Sequence, residues 1–392
     1  MVRRAILILA LLSPGVWASV ANFPQGWNRS CPITISYTLL SGGANNLSNF
    51  PVLISYNSVS TEHSLPSELM NGTYGQSGGQ DIRFSLDSAG ATPLNADIQV
   101  FQQNATLASA HAVIWVKIPT LSYTANTTIY VWYSNIFATT PLATDSNFGS
   151  NGVWPTCYAV WHLSDTGTTI TDATGNGNVG TLVGTGAQTT STPFRYGLTF
   201  NGSNQYVNCG NSVSLGTGYS VEAWVNTNAS TSGQCAVSYR STASGTPIAF
   251  QEDNGGSSNH WRCIVEDSAG NTATATQSVA PSTNTWYYTT LIRNANSVTN
   301  VFVTTTVAAS PSPGNFGSIA NNSLFIGAVN NGGSYGNYWS GTLSEIRVYT
   351  TAKNATWLIG ENNLGTAPGS SITCGTAAPT NFDKVGRAIL IK

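Results

Sequence analysis

Glycan hydrolysis needs two carboxyl groups a few ångströms apart facing one cleft, and the sequence offers two acidic pairs, Glu252-Asp253 and Glu266-Asp267. Neighbouring residues on a strand point to opposite faces of a sheet. Neither pair would present both carboxylates together, and both read as solvated loop or edge charges. The four histidines are His63, His111, His162 and His260; His162 follows Trp161 in an apolar run and reads as structural rather than as a general base. A non-catalytic chain is the expectation. Calcium is a candidate cofactor, because Asp165, Asp172, Asn176 and Asn178 gather hard oxygen ligands in one stretch, although glycine-rich Asn/Asp turns also form without metal. Sugar binding would use aromatic faces for stacking and amides for hydroxyls. The segment from Asn330 to Trp339 combines both, with Asn330, Asn331, Tyr335, Asn337, Tyr338 and Trp339 as candidate ligand-binding residues. The alternative is a long hairpin whose aromatics cover the sandwich end.

Six cysteines, Cys31, Cys157, Cys209, Cys235, Cys263 and Cys374, are widely spaced and lack any CxxC pair. That spacing argues against zinc and, in an exported chain, for disulfides. Cys235 and Cys263 sit in strand-like segments joined by a polar connection, so a hairpin would bridge them; buried free thiols are the alternative.

The elements that must position these residues are strands. Short alternating runs such as Ile33–Tyr37, Val52–Tyr56, Ala112–Ile118 and Thr128–Tyr133 are separated by Gly, Asn, Ser and Pro clusters. They imply an N-terminal β-sandwich over residues 22–140. The polar stretch Ser134–Pro155 holds the domain junction. A second series runs from Cys157 to Tyr349, punctuated by Gly175-Asn176-Gly177-Asn178, Asn254-Gly255-Gly256 and Asn331-Gly332-Gly333, as in a large antiparallel sandwich over 153–362. A helical turn capped by Asn354 is expected near Ala352–Glu361. Residues 363–392 read as a polar tail with a short apolar end, Arg387–Lys392.

At the N-terminus, Arg3-Arg4, the apolar run Ala5–Leu12 and small residues at Ala18 and Ala21 have the layout of a secretory signal peptide over 1–21. No later apolar run reaches spanning length, so no membrane span is expected. Only 8% of residues are charged, while aromatic and β-branched residues are plentiful, so the class is all-β. A formal net charge of -2 leaves no basic surface for phosphate backbones and argues against nucleic acid.

Phe50–Ile54, Gly79–Phe84, Trp115–Pro119 and Ile129–Asn135, with Trp27 and Arg29, resemble an exported microbial domain of unknown function. Val160–Leu163, Asp172–Asn178, Leu198–Gly202, Tyr219–Val225, Trp286–Tyr288 and Gly341–Tyr349 are similar to the laminin-G-like, concanavalin-A-like lectin superfamily. The second resemblance implies a jelly roll of two antiparallel sheets whose rim loops bind carbohydrate, protein or calcium. Fold does not fix function. The expectation is a secreted or cell-surface recognition or adhesion protein binding a glycan or surface protein. The alternative is a self-associating component of an extracellular assembly or virion. A glycan-active hydrolase is the weakest reading, for want of paired carboxylates.

Overall fold

The structure, a computed structural model, describes residues 23–57, 62–213, 215–229, 233–240, 248–252, 260–278, 281–302, 305–310, 314–317 and 322–380. The expected signal segment 1–21, Asp253, the Asn254-Gly255-Gly256 turn and the apolar end Arg387–Lys392 lie outside them.

Period-two patterning makes the strands. Trp261–Glu266 buries Trp261, Cys263 and Val265 and turns the alternate residues outward, as a strand with one covered face should. Gly218–Thr227 is buried at nearly every position, because both of its faces are covered. Val221, Ala223 and Val225 enter one core, while Trp224 enters another.

The fold is all-β. In the N-terminal half, one sheet has the order Ile372–Cys374, Arg29–Ile35, Thr127–Tyr133, Arg83–Ser85, Pro93–Leu94. A three-stranded sheet, Leu47–Asn57, His111–Leu121, Ala96–Gln102, shares its core, which contains Ile33, Phe84, Val52, Ile114 and Val131. The C-terminal half is a jelly-roll sandwich of two antiparallel sheets, each with eight strands among the described residues. One runs from Thr272–Thr276 through Trp261–Glu266, Ile248–Glu252, Cys235–Tyr239, Asn322–Ile326, Tyr206–Val213 and Gly180–Val183 to Thr169–Ile170. The other is ordered Ala187–Thr192, Arg195–Asn201, Ser340–Tyr349, Gly218–Thr227, Trp286–Asn294, Ser297–Phe302, Thr305–Ala309, with Cys157–Trp161 also paired to Ser340–Tyr349.

The two halves are not beads on a linker. Trp224, Tyr288, Ile292 and Tyr349, on the outer face of the second sheet, belong to the N-terminal core. The helix Ala355–Thr366 is wedged at this junction. Asn354 caps it, its Oδ1 accepting from Trp357 N at 2.9 Å, as expected from the sequence. Phe50 and Tyr349 meet Trp357 edge-on at 4.8 and 5.5 Å.

Three expectations need correction. Residues 363–380 are not a loose tail: after the helix, Ile372–Cys374 and Ala378–Pro379 both pair with Arg29–Ile35. The polar composition had hidden an edge strand. The Cys235–Cys263 bridge is not made. Cys235 pairs with Gln251, while Cys263 pairs with Phe250 of the same intervening strand. The two cysteines are therefore two strand spacings apart, about 9.5 Å, beyond bridging reach. Asp267 is not a solvated charge but buried, accepting from Ala269 N, Asn271 N, Asn271 Nδ2 and Gly317 N. Burial opposes its ionisation, yet these bonds hold its carboxyl at about 2.

Candidate functional site

The Asn330–Trp339 segment forms a small hairpin, Val329–Asn331 against Ser334–Gly336. Asn330 Oδ1 closes its turn by accepting from Gly333 N at 2.7 Å. Tyr335 stacks on Tyr206 with ring centroids 4.3 Å apart and planes 18° from parallel. Tyr338 lies beside the stack, 6.4 Å from Tyr206, and Phe325 closes the cluster from below. Tyr335, Asn337 and Tyr338 are half-buried, and Asn331 Oδ1 has no hydrogen-bond partner. Asn337 takes a positive φ of 53° and its carbonyl accepts from Cys235 N, so it aims the chain back into the sandwich. Trp339 differs from expectation. It is fully buried in the jelly-roll core, edge-on to Trp261, and offers no stacking face. Gly75-Gln76-Ser77-Gly78-Gly79 and Gly332-Gly333-Ser334-Tyr335-Gly336 both have the spacing of a serine nucleophile elbow. Such an elbow is a strand-to-helix turn, whereas the first lies in a loop ahead of Arg83–Ser85 and the second joins two antiparallel strands.

The calcium candidates act as loop struts. Asp172 Oδ1 accepts from Val160 N, Thr174 N and Thr174 Oγ1, and its Oδ2 from Asn178 N. Asn176 and Asn178 donate through Nδ2 to Tyr158 O, and Asp165 accepts from Thr171 Oγ1 at 2.7 Å. These bonds tie the loop to Cys157–Trp161. Among the described residues, no group of three or more His, Cys, Asp or Glu side chains is placed to hold a metal ion.

Sequence reading missed a buried charge chain at the domain junction. Glu345 sits at a bulge, where the register between Gly218–Thr227 and Ser340–Tyr349 shifts, and takes φ 51°. Such bulges re-aim side chains. Its carboxylate meets His162 Nδ1 at 2.7 Å and Arg347 Nη2 at 2.9 Å. His162 Nε2 reaches Asp97 Oδ2 of the N-terminal half at 3.0 Å, and Trp154 Nε1 donates to the same oxygen. Arg347 Nη1 donates to Glu361 of the helix, and its guanidinium lies 4.2 Å from the Trp115 ring. Burial alone would strip His162 of its proton, but the Glu345 and Asp97 carboxylates outweigh it and push the imidazole up to about 10. Glu345 is held low by the same cations. The structural expectation for His162 fits this geometry. Glu222 is buried close by, and neither of its oxygens has a hydrogen-bond partner. Burial and the nearby Glu361 push its carboxyl up to about 8. A cleft of about 450 Å³ beside the chain is lined by Asp97, Gln99, Asn151, His162, Asp165 and Asp172. The members of the charge chain are scattered from Asp97 to Glu361; the one legible signal was charge inside apolar strand motifs at His162 and Glu345.

The hairpin and the paired sheets lie in a segment with known relatives. Residues 201–358 match the concanavalin A-like lectin/glucanases superfamily. Residues 78–148 match a domain of unknown function. The concanavalin-like sandwich extends upstream of the match, since Cys157–Trp161, Thr169–Ile170 and Gly180–Val183 complete the same two sheets. No curated protein matches the chain. Among solved structures, domain 4 of an extracellular arabinanase from Geobacillus stearothermophilus, in complex with arabinotriose, is 18% identical with a TM-score of 0.38, over 52% of this chain and 96% of that one. The binding domain of paraclostridial mosquitocidal protein 1 is 14% identical with a TM-score of 0.41, over 52% of each chain. The botulinum neurotoxin serotype D binding domain is 11% identical with a TM-score of 0.40, over 53% and 51%. The chain thus spans about half the length of the two toxin domains.

Proposed function

We propose that this is an exported, non-catalytic recognition protein that binds a glycan through the Tyr206–Tyr335–Tyr338 cluster of its concanavalin-like domain. The carrying observation is the half-buried Tyr335 stacked on the buried Tyr206 at the sandwich end, with the half-buried Tyr338 beside them and the Asn330 and Asn331 amides in the same hairpin. An aromatic face accepts the apolar face of a pyranose, and adjacent amides supply directional bonds to its hydroxyls. Export is supported by the N-terminal basic, apolar and small-residue layout. A glycan array with the full chain, followed by calorimetry on the best ligand, tests the reading. Replacing Tyr335 and Tyr338 together by alanine is expected to weaken binding at least about tenfold, given that stacked aromatics dominate such contacts. Unchanged affinity overturns it.

One observation favours a second reading, lateral assembly. Thr272–Thr276 and Thr305–Ala309 end the two sheets next to each other and carry no charge, the kind of edge that templates pairing with another chain. Light scattering over a concentration series distinguishes a monomer from an assembling protein.

A further inference from the structure

We propose that Cys31 and Cys374 form a disulfide that fastens the returning C-terminal segment to the N-terminal sheet. Cys31 lies in the strand Arg29–Ile35, and Cys374 ends its antiparallel neighbour, where it pairs with Ile33. Farther on, Ser30 pairs with Ala378 and Arg29 with Pro379. One extra residue is therefore accommodated on the returning segment, within Gly375–Ala377. Gly375 N donates to Pro32 O at 2.8 Å, turning the chain over the Cys31 side chain. The two Sγ atoms stand 2.7 Å apart. The two thiols meet diagonally across neighbouring strands, Cys374 lying opposite Ile33 two residues along from Cys31, whereas a third strand separates Cys235 from Cys263.

The exposures set the order of events. Cys31 is buried, whereas Cys374 is half-exposed. With a small disulfide such as glutathione disulfide as oxidant, the Cys374 thiolate attacks one glutathione sulfur, forming a mixed disulfide and releasing one glutathione thiolate. The Cys31 thiol then gives up its proton and attacks Cys374 Sγ, expelling the second glutathione. Two S–H bonds are lost, one S–S bond forms, and one glutathione disulfide is reduced to two glutathione molecules. The bridge spans 343 positions of sequence, so it encloses both halves of the molecule in one covalent ring.

The full chain, purified reduced, is treated with glutathione disulfide, alkylated with iodoacetamide and mapped by mass spectrometry. The expected product is lighter than the reduced chain by two hydrogen atoms and yields one linked peptide pair containing Cys31 and Cys374. Alkylation of both residues after oxidation, a stable glutathione adduct on Cys374, or linkage of either to another cysteine overturns the proposal. A Cys374→Ser variant is expected to melt with reduced wild type, roughly 5 °C or more below oxidised wild type. Melting with the oxidised protein counts against the bond.

Discussion

The carboxyl of Glu222 carries the sharpest consequence at the scale of single residues. It faces Glu361, Arg347, Lys353 and Tyr288 in the buried junction, and its folded value of about 8 lies above the ordinary 4.5. Folding therefore takes up a proton between those values, and stability falls as pH rises from about 4.5 to about 8, on the order of 5 kcal/mol across the window. Glu222→Gln should flatten that part of the profile, measured by urea unfolding from pH 5 to 9. His162 acts in the same direction later: its raised value of about 10 gives a contribution complete below 6.5 and lost as pH climbs through 10. Replacing His162 by alanine removes the cation shared by Asp97 and Glu345, leaving Asp97 only the Trp154 N–H and Glu345 only Arg347, and should cost about 3 kcal/mol. These residues were legible singly, as charges in apolar strands. Their convergence was not, because nothing local relates Asp97 to Glu345.

Among the elements, the helix Ala355–Thr366 decides how closely the halves approach. A methyl group on Gly365 would overlap the rigid indole of Trp224. Gly365→Ala should therefore destabilise by about 1–3 kcal/mol despite its better helix propensity, read as a lower denaturation midpoint. Asn354→Ala should cost about 1 kcal/mol through the lost cap. The cap was readable because an amide before an apolar run is a local signal. The aromatic hairpin was likewise readable from its Asn-Gly-Gly turn. Trp339 was misjudged because its burial depends on the opposite sheet's Trp261, and the Cys235–Cys263 bridge was misjudged because pairing order within a sheet, which sets Ile248–Glu252 between them, is non-local.

On the scale of the whole molecule, a continuous core joins residues of both halves, from Phe50 and Trp115 to Trp224 and Tyr349. Calorimetry should accordingly show one cooperative transition; two resolved peaks would speak for independent domains. Strand runs and both resemblances made the two sandwiches visible in the sequence, and the domain junction was placed in Ser134–Pro155, but the packing between the halves was not legible, since the apolar outer faces of Gly218–Thr227 and Trp286–Asn294 look like ordinary core. The return of Ile372–Cys374 and Ala378–Pro379 to Arg29–Ile35 has a further consequence during synthesis on the ribosome. The first sandwich cannot close this edge until those two strands emerge. The jelly roll is thus a nested insertion, synthesised in full while the amino-terminal sheet still waits with an open side.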